Sequence, residues 1–207
     1  MSTHAAPTLL LVPTGLEMRE LAALGGFDAG LALVEEVGFG PIAAAARTAS
    51  LLARLRPARV LLVGIAGSYD AGALPIGAAV QFTRVAIDGL ETAGFAQAPG
   101  IGASLPLEAD SPPAPARALV TVLAAARSSG VATERRARHP DAIAEDMEGY
   151  GVALACAIER TPLAIVRGIS NRAGDRDLKS WRIPDALAAA RKLAIELLGH
   201  RTWSSPR

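Results

Sequence analysis

The sequence predicts a three-layer α/β fold, in which a twisted, mostly parallel or mixed sheet carries helices on both faces. Three observations lead to this prediction. Short apolar runs alternate along the chain with longer segments of helical periodicity. Hydrophobic residues make up 51% of the chain but aromatic residues only 4%, so the core must consist mainly of Ala, Leu, Val and Ile. The length of 207 residues suits a substantial core, and we expect residues 1–207 to form one domain.

The N-terminal part of the chain contains the first predicted strands and two predicted helices. TLLLVPT, residues 8–14, is a continuous apolar run closed by Pro and Thr, which is typical of a strand buried on both faces. GLEMRELAAL, residues 15–24, follows with a helical pattern, and LALVEEVGFG, residues 31–40, predicts one or two strands around a turn. PIAAAARTASLLARL, residues 41–55, predicts an amphipathic helix with proline at its first position.

The middle of the chain begins with a clear strand pattern, and no regular pattern follows it. ARVLLVGIAGSYDAGALPIGAAVQF, residues 58–82, predicts a buried strand, a glycine-rich turn and another strand. The segment from 91 to 142 is the least informative. Its residues 98–116 are rich in Pro, Gly and Ala and are interpreted as a surface connection. The charged run ERRARH, residues 134–139, is interpreted as a solvated face, with the lining of a site as the alternative.

The C-terminal part returns to the alternation of helix and strand. MEGYGVALACAIERT, residues 147–161, predicts a helix, and PLAIVRGIS, residues 162–170, predicts a strand. IPDALAAARKLAIELLG, residues 183–199, predicts a helix that ends at its glycine. Strands that alternate with helices in this way favour a mostly parallel sheet covered on both faces.

Composition and charge exclude several classes of function. A net charge of +1 gives no electrostatic reason to expect nucleic acid or an anionic membrane as a partner, and no apolar run approaches the length of a membrane span. The single cysteine, Cys156, cannot form an internal disulfide, which favours a reduced, cytoplasmic setting, and it is expected to be a small buried residue. His4, His139 and His200 are scattered without metal-ligand spacing. We expect no metal and no cofactor.

The glycines of VLLVGIAGSYDAG do not form a dinucleotide fingerprint. Gly64 and Gly67 are separated by two residues, no third glycine follows in register, and the lysine of a phosphate-binding loop is missing. Two interpretations stay open. The glycines permit a tight exit from the strand, or they let a small ligand approach the carboxyl end of the sheet, where open α/β folds bind ligands. In the second interpretation Gly67 contacts the substrate.

Four segments together resemble the purine nucleoside phosphorylase/nucleosidase superfamily. They are PTGLEMREL, VGFGPIAAAARTASLL, GIAGSYDAGALPIGAAV, and EDMEGYGVALAC with the later IVRGISN. Within the superfamily, MEGYGVA and the tail RGISNRAGDRDLKSWRIPDAL resemble most the futalosine hydrolase family. The resemblance implies a mixed sheet flanked by helices, a homodimer or higher homo-oligomer, and no cofactor. It implies cleavage of the N-glycosidic bond of a small purine nucleoside, futalosine, with release of hypoxanthine in menaquinone biosynthesis.

The resemblance also implies roles for individual residues. Met147 and Glu148 match the pair that contacts ribose, Asn171 matches the residue that contacts the base, and Glu17 matches the carboxylate that activates water. Tyr150 stands where nucleosidases commonly have a small alanine. The residue that stacks on the purine is open, and the candidates are Phe82, Phe95 and Trp181.

The chemistry of the residues supports these roles. Cleavage of the bond develops positive charge near C1′ of the ribose, and a Glu148 carboxylate can both accept from two ribose hydroxyls and stabilise that charge. Asn171 can donate to O6 of a 6-oxopurine and accept from a proton on N7, whereas an aspartate suits a 6-aminopurine. The amide therefore predicts a hypoxanthine-type base rather than adenine. Protonation of N7 by water, protonation by Asp175, and departure of the base as an anion all stay open.

The nucleophile separates hydrolysis from phosphorolysis. A carboxylate such as Glu17 would repel phosphate and deprotonate water, which favours hydrolysis. Arg19 and Arg47 keep a phosphate-dependent phosphorylase open, because phosphorolysis needs a cationic pocket. A methylthioadenosine/adenosylhomocysteine-type nucleosidase is the nearest alternative among hydrolases.

The charged run after Asn171 predicts a contact with a carboxylate. Futalosine carries a benzoate on its ribose side, so its site should hold a cation. Arg172, Arg176 and Trp181 are the predicted substrate contacts, with Lys179 and Arg182 in the same cluster. Arg167 lies within a buried strand and is expected to be a structural ion-pair partner instead.

Overall fold

The computed structural model describes residues 7–90, 102–109 and 117–199 of the chain. These residues form nine strands and five helices. In chain order the elements are β1 (Thr8–Val12), α1 (Gly15–Ala23), β2 (Ala32–Glu36), α2 (Pro41–Leu55), β3 (Arg59–Ser68), β4 (Ala79–Phe82), β5 (Arg84–Ile87), β6 (Ser104–Pro106), β7 (Ala118–Thr121), α3 (Ser129–Arg138), β8 (Ala142–Asp146), α4 (Gly149–Ile158), β9 (Leu163–Arg172) and α5 (Ile183–Gly199).

All nine strands belong to one mixed sheet. Its main path runs β2-β1-β3-β8-β7-β5-β6, and β9 pairs with both β3 and β4. Strands β1, β2, β3 and β9 are parallel, and β5, β7 and β8 are parallel to one another but antiparallel to β3. Strands β4 and β6 add antiparallel edges. The prediction of an α/β fold with a mixed sheet flanked by helices is confirmed.

The long strand β3 joins the two halves of this sheet. Along one edge it pairs with β1 as far as Leu62, and with β8 only from Gly67 onward. The opposite edge pairs with β9 from Val60 to Ser68, with a bulge at Ser170. Because β8 is antiparallel to β3, the carboxyl end of β8 lies toward the carboxyl end of β1. The short stretch of β3 between them has no strand neighbour on that edge.

The two faces of the sheet carry separate hydrophobic layers. Alternate residues of a strand point to opposite faces, so Leu9 and Leu11 of β1 pack in one cluster with residues of α2 and α4. Leu10 and Val12 pack in the other with residues of α1 and α5. Both clusters consist mostly of Ala, Leu, Val and Ile, as the composition predicted. Within the described residues, no helix combines the length and the apolar character that crossing a bilayer requires.

One prediction for the segment from 91 to 142 is wrong where the structure describes it. Residues 104–106 were interpreted as part of a surface connection but form strand β6, which pairs with β5. The charged run 134–139 is largely solvated, since Glu134, Arg136 and Arg138 are exposed, but Arg135 is an exception. Arg135 is only 12% exposed and donates to Asp88 and Glu145, which fixes α3 against the sheet. The Pro- and Gly-rich composition concealed the short strand, and of these charges Arg135 contacts the buried acid Glu145.

Candidate active site

The carboxyl ends of β1, β8 and β9 meet beside the unpaired stretch of β3. Glu17 lies in the first turn of α1, directly after β1, and it is 4% exposed. Thr14 caps this helix, and its hydroxyl donates to Oε2 of Glu17 at 2.7 Å. The other oxygen, Oε1, accepts from the backbone N–H of Ile65 at 3.0 Å. The side chain of Glu17 thus takes the place of a strand neighbour for β3.

Burial raises the pKa of Glu17, although Arg167 and the hydrogen bonds from Thr14 and Ile65 counteract it. A carboxylate with a raised pKa is a stronger base, which suits the predicted role in activating water. Glu20, the other acid of the same helix, is half-buried and has none of these contacts among the described residues.

Glu148 lies in the connection between β8 and α4 and is 5% exposed. Its Oε1 accepts from the backbone N–H of Gly40 at 3.1 Å, at the start of α2. Gly40 has a φ of +86°, a conformation that favours glycine and that directs this N–H toward the carboxylate. Burial, together with the negative charges of Asp146 and Glu17, raises the pKa of Glu148 to about 7, against the opposing effects of Arg167 and the Gly40 N–H.

One buried guanidinium lies among these carboxylates. Arg167 of β9 is completely buried, and its Nε and Nη2 donate to Oδ2 of Asp146 at 3.1 Å and 2.5 Å. Nη2 is 3.6 Å from Oε2 of Glu148. Burial works against the charged form, but Asp146, Glu148 and Glu17 together raise the pKa of Arg167. The prediction that Arg167 is an ion-pair partner is confirmed.

Asp146 is a buried acid of this cluster that the sequence prediction did not include. It ends β8, is 5% exposed, and accepts from the hydroxyl of Thr121 at 2.6 Å through Oδ1 and from the N–H of Gly149 at 2.9 Å through Oδ2. One signal pointed to such a partner. An arginine inside an otherwise apolar strand needs a buried acid nearby, because an unpaired buried charge is very costly.

Gly64 of β3 permits the close packing of this cluster. A Cβ at this position would collide with Nη1 of Arg167, and would lie 2.7 Å from Oε1 of Glu17 and 2.9 Å from Cδ of Pro13. The first interpretation of this glycine, a tight strand exit, therefore misses its main role. Gly64 makes room for the guanidinium and the carboxylate to approach the backbone of β3.

We expect Gly64→Ala to reduce kcat/KM more than tenfold and to destabilise the fold by about 1–3 kcal/mol, because the added methyl must displace the guanidinium. Steady-state kinetics and thermal unfolding measure the two effects. Gly130→Ala in α3 is the matched control, since a Cβ there meets only Ser128 Oγ at 3.8 Å. Wild-type kinetics together with a wild-type melting temperature for Gly64→Ala would contradict the packing argument.

Asn171 lies at the end of β9, just after the bulge, and is 6% exposed. The hydroxyl of Ser170 donates to its Oδ1 at 2.7 Å, and its Nδ2 donates to the carbonyl of Arg172 at 2.9 Å. These contacts fix which end of the amide is the donor. One N–H and one oxygen lone pair remain for another partner. Gly67 pairs with Asn171, and a Cβ at this position would lie in van der Waals contact with Nδ2, at 3.4 Å.

The other predicted substrate contacts do not converge on one point. Met147 is half-buried and packs against the cluster of Val120 and Val122. Arg172 is exposed and follows Asn171 directly on the strand, so the two side chains point to opposite faces of the sheet. Arg176 lies over the ring of Trp181, with its guanidinium carbon 5.3 Å from the ring centre.

Two further members of the cationic cluster have separate positions. Arg182 pairs with Asp185 at 2.7 Å on the surface, and Lys179 is exposed. Asp175 accepts from the hydroxyl of Ser180 at 2.6 Å, and this bond, with the N–H of Asp177, lowers the pKa of Asp175. A carboxyl with a lowered pKa is a poor proton donor, so this position disfavours Asp175 as the acid for N7.

The prediction of Phe82 as a purine-stacking residue is wrong. Phe82 is completely buried in the hydrophobic cluster beneath α2 and α4, and it pairs with Ile165 near the start of β9. Asn171 is six residues further along that strand, so the ring has no face free for a base beside the amide. Phe95 lies outside the described residues, and Trp181 stays a candidate.

The chain is similar to known proteins over most of its length. A family model, the phosphorylase superfamily, matches residues 17–199. A futalosine hydrolase from Streptomyces coelicolor is 39% identical over 172 residues, which cover 73% of this chain and 72% of the relative. A futalosine hydrolase from Thermus thermophilus is 31% identical over 179 residues, 79% of each chain. The structure of a 5′-methylthioadenosine/S-adenosylhomocysteine nucleosidase from Colwellia psychrerythraea, in complex with adenine, superposes with a TM-score of 0.79 at 22% identity, over 95% of this chain and 96% of that chain.

Proposed function

Because the chain belongs to the phosphorylase superfamily and, within it, to the futalosine hydrolases, we propose that it hydrolyses the N-glycosidic bond of futalosine and releases hypoxanthine. One observation carries the proposal. Two buried glutamates, Glu17 and Glu148, lie beside the same buried guanidinium, and Asn171 lies on the same strand as that guanidinium. This set supplies the three things that the reaction needs, which are a base for water, an anion for the sugar and a polar contact for the leaving purine.

Glu148 is the proposed ribose contact. Its ionised carboxylate accepts hydrogen bonds from the 2′ and 3′ hydroxyls and stabilises the positive charge that develops at C1′. The N–H of Gly40 orients one oxygen, and the guanidinium of Arg167 is too far from the other to bind it tightly. Met147, the preceding residue, is the proposed apolar neighbour of the sugar.

Glu17 is the proposed base for the attacking water. Its Oε1 and Nη1 of Arg167 both lie beside Gly64, and Nη1 has no hydrogen-bond partner among the described residues. A water between them can donate to the carboxylate and accept from the guanidinium, which orients its lone pair for attack on C1′. Removal of a proton from this water by Glu17 completes the nucleophile.

Asn171 is the proposed contact for the leaving base. Its remaining N–H donates to O6 of hypoxanthine, and its remaining lone pair accepts from N7–H as the base departs. An amide cannot act as a general acid, so the proton on N7 comes from water, or the oxopurine leaves as an anion stabilised at O6.

The charge of the site favours hydrolysis over phosphorolysis. Three buried carboxylates face a single guanidinium in this cluster, so a phosphate dianion would be repelled. Arg47, which kept the phosphorylase alternative open, pairs with Glu35 on the surface at 3.3 Å. Arg19 is exposed on α1.

The test of the proposed function is product analysis. Purified protein incubated with futalosine in phosphate-free buffer should release hypoxanthine, while inosine and methylthioadenosine serve as comparison substrates with and without phosphate. Release of adenine from methylthioadenosine with futalosine inert would replace the proposal by the aminopurine nucleosidase. Strict dependence on phosphate would replace it by a phosphorylase, and binding of futalosine without turnover would refute catalysis altogether.

We expect Asn171→Asp to shift base preference toward 6-aminopurines. The aspartate loses the donor for O6, and its second oxygen would face the carbonyl of Arg172, where Nδ2 now donates at 2.9 Å. The ratio of kcat/KM for futalosine to kcat/KM for its 6-amino analogue should fall on the order of a hundredfold. Because the two substrates share the same sugar and benzoate, the ratio isolates the base. An unchanged ratio would remove the specificity argument.

Several finer features belong to the same proposal. We place the reaction in menaquinone biosynthesis and in the cytoplasm, where the single buried Cys156 remains reduced. Trp181, with Arg176 above its ring, is the proposed contact for the benzoate. A homo-oligomer is supported by the outward start of α2, where Phe39 is 67% and Ile42 78% exposed, since adjoining exposed apolar side chains commonly mark an interface.

A further inference from the structure

We infer that Asp146 is a positioning residue, which holds the buried guanidinium of Arg167 away from Glu148 and directs it toward the water position beside Glu17. The consequence for catalysis rests on the proposed function. The positioning itself is a property of the free protein and is measurable without substrate.

The distances show how the guanidinium is divided among three carboxylates. Two of its nitrogens, Nε and Nη2, donate to the same oxygen of Asp146 at 3.1 Å and 2.5 Å, whereas Oε2 of Glu148 is 3.6 Å from Nη2. Only the first two distances are hydrogen bonds. The third nitrogen, Nη1, makes no hydrogen bond within the described residues and lies on the side of Gly64 and Glu17.

Asp146 binds the guanidinium more tightly than Glu148 does because its carboxylate is held in place by other hydrogen bonds. Thr121 Oγ1 donates to its Oδ1 at 2.6 Å, and the N–H of Gly149 donates to its Oδ2 at 2.9 Å. Thr121 is itself fixed, since its oxygen accepts from the N–H of Tyr150 at 2.7 Å. The acid at the end of β8 and the first turn of α4 therefore form one hydrogen-bonded unit with the arginine of β9.

Without Asp146, the nearest carboxylate acceptor for the N–H groups of the Arg167 guanidinium would be Glu148. A guanidinium binds a carboxylate best through two parallel hydrogen bonds, and such a pair would occupy both oxygens that the ribose hydroxyls need. Nη1 would also turn away from Glu17. The placement of Asp146 thus leaves the oxygens of Glu148 available to the ribose hydroxyls and Nη1 of Arg167 available to the water.

The variant Asp146→Asn isolates this role. The asparagine carbonyl can still accept from Gly149 and Arg167, and its NH2 can face Thr121, so the shape of the unit is retained while its charge is removed. The charged and polar groups that face Glu148 are Arg167 from β9, Asp146 from β8, Glu17 from α1 and the Gly40 N–H of α2. Losing one negative neighbour favours ionised Glu148. A neutral amide also holds the guanidinium less strongly than a carboxylate does, so the guanidinium can move closer to Glu148.

Carbon-13 NMR of the side-chain carboxyl, assigned with Glu148→Gln, follows the titration of Glu148 in the free protein. We expect the midpoint to fall by about one pH unit or more in Asp146→Asn. A midpoint that is unchanged or higher would overturn the inference. Because loss of the Asp146 charge alone also lowers this midpoint, Thr121→Val, which keeps the charge, tests the position of the guanidinium.

A second variant covers the case in which Asp146→Asn fails to fold. Thr121→Val removes the hydroxyl that fixes Asp146 but keeps the charge, so the midpoint of Glu148 should fall by a smaller amount. No change in this variant would count against the inference. In steady-state assays with futalosine, Asp146→Asn should lower kcat/KM at least tenfold, mostly through KM.

Asp141→Asn is the matched control, because Asp141 pairs with Arg84 on the surface and is 63% exposed. Its titration and kinetics should match the wild type. Absence of futalosine turnover by the wild type would refute the proposed function alone, since the NMR titration still decides the position of the guanidinium.

Discussion

Replacing Glu17 by glutamine is expected to lower kcat by about a thousandfold, the largest effect of any single change in the site. Glutamine keeps the volume and can still accept from Ile65 N–H, but it cannot take a proton from water. Its burial, at 4% exposure, excludes bulk solvent from replacing the lost base. Steady-state kinetics with futalosine measure the loss, and KM should change little because Glu17 contacts the nucleophile rather than the nucleoside.

Glu20→Gln is the control for this change, since Glu20 lies one turn further along α1 and outside the cluster. It should retain wild-type kinetics. A Glu17→Gln enzyme within tenfold of the wild-type kcat would show that water needs no base at this position, and the proposed mechanism would fail at that step.

Replacing Glu148 by glutamine is expected to lower kcat by at least about a hundredfold while leaving the fold intact. The amide still accepts from Gly40, but it no longer offers a charge to the developing cation, and its NH2 would meet a ribose hydroxyl or Arg167 as a second donor. Because Glu148 binds the sugar in the ground state as well, KM should rise too.

Kinetics and far-UV circular dichroism of Glu148→Gln separate loss of function from loss of structure. Glu159→Gln, at the exposed end of the same helix, is the matched variant and should behave as the wild type. Near-wild-type turnover by Glu148→Gln would overturn the assignment of the ribose contact.

The sequence identified the candidate side chains that sit in compact local motifs. Glu17 lies five residues after the end of β1 and three after a capping threonine, Glu148 is the N-cap of α4, and Asn171 lies near the end of β9. Such positions follow from local patterns alone, because the carboxyl ends of strands are where α/β folds place ligands.

The pair of Asp146 and Arg167 could not be found in the same way. Their contact depends on β8 running antiparallel to β3 while β9 runs parallel to it, and no periodicity within either strand encodes that pairing. Phe82 was misplaced for a related reason. Its aromatic ring suggested a base contact, but the position of β4 along β9 places it in the core, far from the carboxyl end.

The sharing of β3 between the two halves of the sheet also determines how the enzyme acquires activity during folding. Glu17, Gly40 and Ile65 come from the first third of the chain, whereas Asp146, Glu148 and Arg167 come from the last third, and the bond from Gly40 to Glu148 spans 108 positions. Contacts of such long range slow folding, because the entropy of closing the chain must be overcome before they form. A fragment that holds only one of these thirds therefore lacks part of the active site. We expect activity to appear only when the whole sheet has formed.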